Sequence, residues 1–216
     1  MRQHCPVIEG DPVADRLAEL GLKVEILDFA LRGADAEART YTALDPPNMA
    51  GMARYARTVR LLREHLIPLG WTFDNPRNLA RTVSPDGRVA IIATLGDAAT
   101  GVAHVPPSTR YEKGVATVEA VSRNFLQLTL PIDLGAAGFV DTEDVETTTW
   151  VLLYNVTEAE IRAELSLPDS MVDGYIDTWL ERIILPPVPL QPAVGLGLPV
   201  QRTAADPPVA VTRRTA

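Results

Sequence analysis

Arginine recurs at every third position through Arg54, Arg57, Arg60 and Arg63, and the following stretch adds Arg77, Arg81 and Arg88. On a helix of 3.6 residues per turn, steps of three drift by about 60° each, so four such arginines sweep half a turn of surface. Guanidinium groups fork onto carboxylates and phosphates. Several together make an anion-binding face of the kind that follows a nucleic-acid backbone. Arg54, Arg57 and Arg60, with Arg77 and Arg81 beside them, are the first candidate binding residues. The plainer reading of the pattern is a solvated helix face, or a dock for the chain's own acidic part.

A second candidate lies at residues 96–114. Gly96-Asp97-Ala98-Ala99-Thr100-Gly101 follows the apolar run RVAIIATL (88–95), and ligand loops often sit where a strand ends. Asp97 and Thr100, with Arg110 and Lys113 just before a helix opening at Gly114, suit a phosphate-bearing small molecule held by backbone N–H groups and two cations. The Gly-Lys-Ser/Thr of a phosphate loop is missing, and an ordinary connecting loop explains the same residues.

Other chemistry has less to stand on. His4, His65 and His104 share no ligand spacing, and the His4-Cys5 pair falls short of a metal's usual ligand count, so no metal site is expected. There is no G-x-S-x-G and no Ser-x-x-Lys with partners, and no catalytic residue is assigned. Glu164 and Glu181 could face one side of neighbouring strands, but exposed strands carry glutamate routinely. No cofactor is expected.

The 216 residues suffice for one domain with a sizeable core. With 46% hydrophobic and 22% charged residues the composition is that of a globular protein. Net charge is −8, unevenly spread: residues 48–113 carry nine basic and five acidic groups, whereas 114–190 carry three and thirteen. An acidic total argues against a dedicated nucleic-acid coat, though the basic middle keeps a local contact open. One cysteine, Cys5, cannot form an internal disulfide, which fits a reducing compartment. No secretory signal is read at the N-terminus and no stretch approaches the length of a membrane helix, so a soluble, cytoplasmic protein without a membrane partner is expected.

The elements that must position these groups can be read from pattern. Asp11-Pro12 opens a helix carrying Val13, Leu17 and Leu20, which Gly21 ends. Residues 22–32 fit helix and strand periods only partly and lean to helix. Ala34–Thr40 prolongs them, and Asp45-Pro46-Pro47 breaks the run. From Asn48 to Leu66, Met52, Tyr55, Val59, Leu62 and Leu66 follow spacings of three and four, which predicts an amphipathic helix with a dry stripe behind its arginines. Residues 79–83, the turn Ser84-Pro85-Asp86-Gly87 and residues 88–95 read as a hairpin. A short helix is expected from Gly114, then a weakly patterned 125–148 with an acidic loop at 141–146. Residues 150–156 read as a buried strand and 161–167 alternate strictly. A helical reading of 161–167 competes through a capping box at Thr157 and Glu160. Residues 176–185 give a third strand, Pro186-Pro187-x-Pro189 and Pro189-x-x-Pro192 could form a polyproline ligand, and the proline-rich 191–216 read as an extended or disordered tail.

The stretches 45–71, 84–101, 109–121 and 181–187, under half the chain, resemble a family of uncharacterised proteins carried on bacterial plasmids, phages and integrative elements. The resemblance implies a mobile-element accessory role and brings no activity, substrate or site residue with it.

The fold expected is α+β: helices on one face of a mainly antiparallel sheet, divided as an N-terminal helical segment (1–47), a core (48–190) and the tail (191–216). The function expected first is a non-enzymatic accessory protein that binds protein or nucleic acid through the arginine-rich helix. The alternative is an enzyme or sensor for a phosphate-bearing small molecule at the 96–114 loops.

Overall fold

A computed structural model describes residues 5–129 and 147–190. The chain runs β1 (Val7–Ile8), α1 (Pro12–Glu19), α2 (Val24–Ala38), α3 (Met49–Leu66), β2 (Thr72–Asp74), β3 (Arg81–Val83), β4 (Val89–Leu95), α4 (Val115–Thr129), β5 (Thr148–Val156), β6 (Glu160–Val172), β7 (Tyr175–Ile184) and β8 (Val188–Pro189). The sheet order is β1-β7-β6-β5-β4-β3-β2, with β8 also on β6. Its ladders are antiparallel except β1–β7 and β4–β5, so the sheet is mixed. The α+β class stands. The acidic stretch 141–146, His4 and the tail lie outside the described residues.

Helices cover both faces of this sheet, not one. On the first, Leu17 of α1, Leu27 and Leu31 of α2, and Leu61, Leu62 and Leu66 of α3 close over Ile91, Trp150, Leu152 and Leu165. Val121 of α4 packs on the second face, against Ile92, Val151, Leu153, Ile176 and Trp179. The reason is topological. Neighbouring parallel strands cannot be joined by a tight turn, so β4 reaches β5 by a crossover that carries α4 across the free face. Asn124, wholly buried, locks that crossover: its side-chain amide donates to Thr149 O at 2.9 Å and its carbonyl accepts Thr149 N–H at 2.8 Å.

The first 47 residues share this core. Val13, Leu17 and Leu27 bury in the same cluster as Trp150 and Leu152, and β1 extends the sheet beside β7. Residues 22–40 resolve to the single helix α2, which meets α3 so closely at Gly33 that a Cβ there would overlap Leu61. Truncating a buried leucine such as Leu62 in this layer would cost about 2–5 kcal/mol.

The hairpin at Ser84–Gly87 forms as expected, with Gly87 at φ +74° and Ser84 N–H bonded to Val89 O. Strand alternation wins at 161–167, but β6 runs on to Val172 by slipping register around Pro168, which has no N–H for the ladder. Thr157 and Glu160 form the turn before β6: the Thr157 hydroxyl donates to Glu160 O at 2.9 Å and accepts its N–H at 3.1 Å. Asp11 and Asn48 precede α1 and α3 without a side-chain capping bond, while Pro12 starts α1 as expected.

Candidate functional site

The stripe of α3 divides along its length. Leu62 and Leu66 enter the core with Thr58 and Leu61, but Met52 and Tyr55 stay 57% and 39% exposed. The helix's first half overhangs a part of the sheet that has no neighbour. β3 pairs with β4 only at Ala90 and Ile91, whereas β5 accompanies β4 as far as Leu95. From Ile92 to Leu95, β4 therefore has a strand on one side only. A cleft of about 490 Å³ opens beside this edge, between the start of α3, residues 78–80, and the segment from Tyr111 to Thr117 that leads into α4. That volume lies within the range of about 300–1,000 Å³ common for small-molecule sites.

Lys113 is the basic residue in this cleft, and among the described residues no acidic side chain joins the lining. Its Nζ donates to Thr94 Oγ1 at 2.7 Å, and no carboxylate among the described residues pairs with it. Burial pushes its amine below the ordinary lysine value. Lys113 is held there by backbone: its N–H bonds to Gly174 O at 2.7 Å, and Arg110 N–H bonds to Leu95 O at 3.0 Å. Met52, Leu79, Ile92, Leu95 and Ile176 supply apolar walls, with the rings of Tyr55 and Tyr111.

Tyr154 of β5 borders the same cleft from the α3 side. Its hydroxyl is buried and makes no short hydrogen bond among the described residues, while the neighbouring Thr58, which donates to Arg54 O at 2.8 Å, keeps lone pairs that can accept from it. Burial pushes the phenol up to about 12. Two consecutive residues at the rim, Arg77 and Asn78, hold φ of 48° and 66°, and Asn78 lines the cleft. Asparagine tolerates that conformation, whereas arginine is strained in it, and such strain concentrates around binding sites.

The remaining residues of the 96–114 candidate serve the loop itself. Asp97 Oδ1 accepts Ala99 N–H at 3.0 Å, and Thr100 is buried against Gly96. Arg110 is exposed, its guanidinium 5.8 Å from the Tyr111 ring centre. The loop is anchored by a pair hidden from solvent: Arg182 forks onto Glu164 at 3.0 and 2.6 Å and donates to the carbonyls of Val102, Ala103 and Val105. Glu164 also accepts Gly101 N–H at 2.9 Å and the Ser166 hydroxyl at 2.8 Å. Glu181 bonds to Arg16 at 2.6 Å, so the two glutamates do not converge on one site.

Each arginine of the first candidate faces a carboxylate of its own chain. Arg54 reaches the buried Asp35 at 2.9 Å, and Asp35 also pairs with Arg39. Arg57 meets Glu37 at 3.3 Å, Arg60 meets Glu64 at 2.7 Å, Arg77 meets Glu119, and Arg81 donates to Asp74 at 2.8 Å. Arg60 and Arg77 are two-thirds exposed, where such pairs contribute little. Arg54 is enclosed, and it borders a different cleft, with Asp35, Arg39 and residues 156–159.

Sequence reasoning placed Lys113 but missed Thr94 and Tyr154. A threonine and a tyrosine inside apolar strands read as ordinary strand residues, and only the short reach of β3 makes them part of a cleft. Among the described residues, no cluster of three His, Cys, Asp or Glu side chains could hold a metal, and no helix is long and apolar enough to cross a membrane. Compared with protein-family models, curated proteins and solved structures, the chain has no match.

Proposed function

We propose that this chain is a binding module for a small anionic molecule, held in the cleft at the open edge of β4 with Lys113 as its charge partner. One observation carries the reading: a half-buried ammonium, with a hydroxyl but no carboxylate beside it, in a lining whose described residues include no acid. A cation taken out of water without a counter-charge is unfavourable, and an arriving anion relieves that cost. Among the described residues the lining contains no histidine, cysteine, aspartate or glutamate, and the reading gives Lys113 the role of charge partner, not of base. The arginine face of α3 takes second place, since a nucleic-acid backbone there would have to compete with Asp35, Glu37 and Glu64. A mobile-element accessory role is compatible with a ligand sensor of this kind.

The test is thermal denaturation of the wild type and Lys113→Met with a panel of nucleotides, sugar phosphates and carboxylates. A ligand at a hundred times its dissociation constant stabilises the folded state by about 2.7 kcal/mol. At least one anion should raise the wild-type midpoint and leave Lys113→Met unmoved. Equal shifts in the two proteins, or none with any anion, would remove the proposal.

A further inference from the structure

We infer that the ligand of this cleft carries a single negative charge on an apolar body, and that its anionic group is a carboxylate. The inference rests on the binding reading above and adds the chemical class. Lys113 is the only cation among the described residues of the lining, so one charge is matched there. Its ammonium has three protons; one goes to Thr94, and the two left match the two oxygens of a carboxylate. A phosphate monoester brings about 1.5 to 2 negative charges at neutral pH, and its excess would sit against apolar walls with no partner. The start of α4 offers no second charge of comparable strength. Gly114 and Val115 are exposed there, and solvent screens a helix dipole.

The rest of the lining asks for hydrocarbon. Leu79, Ile92, Leu95 and Ile176 form the walls, and Met52 and Tyr111 stand 57% exposed at the mouth. An aliphatic or aryl body lying along β4 would cover both of these side chains, whereas a ribose or free sugar would leave its hydroxyls against them.

Isothermal titration with octanoate, octyl phosphate and octan-1-ol separates the terms, because the three share a chain and differ in charge. Wild type, Lys113→Met and Gly51→Phe are compared. Gly51 borders the cleft and a Cβ there meets nothing within 4 Å, so a bulky ring can be added at the cleft wall without changing its charge. Far-ultraviolet circular dichroism and a cooperative melt establish that each variant is folded. Octanoate should bind the wild type at least about tenfold more tightly than octyl phosphate or octanol, and should lose about tenfold or more in both variants. Octyl phosphate binding as tightly as octanoate, with loss in Lys113→Met, would overturn the carboxylate assignment and leave the anion cleft intact. Octanol binding as tightly, with Lys113→Met unaffected, would overturn both. Failure of all three probes while a nucleotide binds in a Lys113-dependent manner would overturn the inference alone.

Discussion

Glu164 on β6 and Arg182 on β7 form a two-pronged ion pair whose side chains are 0% and 3% exposed, and the carboxylate and guanidinium also hold the backbone of residues 101–105. A pair this deep is worth little more than well-packed hydrocarbon while both partners are present, but breaking it strands a charge. Arg182→Met should therefore cost about 3–5 kcal/mol in urea unfolding, and Glu164→Leu combined with Arg182→Met should recover part of that loss. If the single variant unfolds at the wild-type urea midpoint, the pair does not anchor the loop.

Lys113 gives a pH dependence of definite sign. Its folded-state pKa lies below the ordinary 10.5 because burial disfavours the charged form. Below the folded value both states are protonated and the native state bears the whole cost of the buried ammonium. As pH rises towards 10.5 the native state releases its proton first, and stability increases relative to a protein without the lysine. Lys113→Met should be more stable than wild type at neutral pH, and the difference should shrink with increasing pH. Chemical denaturation at pH 7, 8.5 and 10 checks this; a constant difference would mean that the ammonium is effectively solvated.

Tyr154 titrates with the opposite effect. Its phenol is pushed up to about 12 by burial, against an ordinary value of 10.0. Below pH 10 the contribution is complete. Above it the unfolded chain ionises while the native chain does not, so stability falls as pH climbs towards the folded value. Tyr154→Phe should abolish that alkaline loss. At neutral pH it should change stability little, because the deleted hydroxyl makes no short hydrogen bond and at most a weak one to Thr58. Destabilisation by Tyr154→Phe at pH 7 would reveal a hydrogen bond that the phenol makes in solution.

The limits of what could be read in advance are physical. β5 to β7 were legible because period-two alternation and apolar runs depend on each strand's own residues, and α3 because its stripe repeats through five turns. The cleft was not, because it arises from a mismatch of lengths: three residues of β3 against seven of β4. Nor could the spacing of Arg54, Arg57 and Arg60 reveal that Asp35 and Glu37, from a helix whose own pattern was ambiguous, lie opposite them. Met52 and Tyr55 share the stripe of Leu62 and Leu66, and periodicity assigns a face without saying where the sheet beneath it ends.

Two glycines test the site's framework from opposite directions. Gly51 sits in the first turns of α3, and a methyl group added there would meet nothing within 4 Å, so Gly51→Ala removes backbone freedom from the unfolded chain and adds no clash. It should stabilise by up to about 1 kcal/mol. Gly96 closes β4 under the buried Thr100, and a Cβ there would overlap the Thr100 hydroxyl and stand 2.7 Å from Leu153 Cγ. Gly96→Ala must move both side chains and should cost about 1–3 kcal/mol, and it should weaken any Lys113-dependent ligand because the Arg110 bond to Leu95 lies one residue away. A Gly96→Ala urea midpoint at or above that of the wild type would contradict the close packing of Gly96 against Thr100 and Leu153, and a lowered midpoint for Gly51→Ala would contradict the open space at that position.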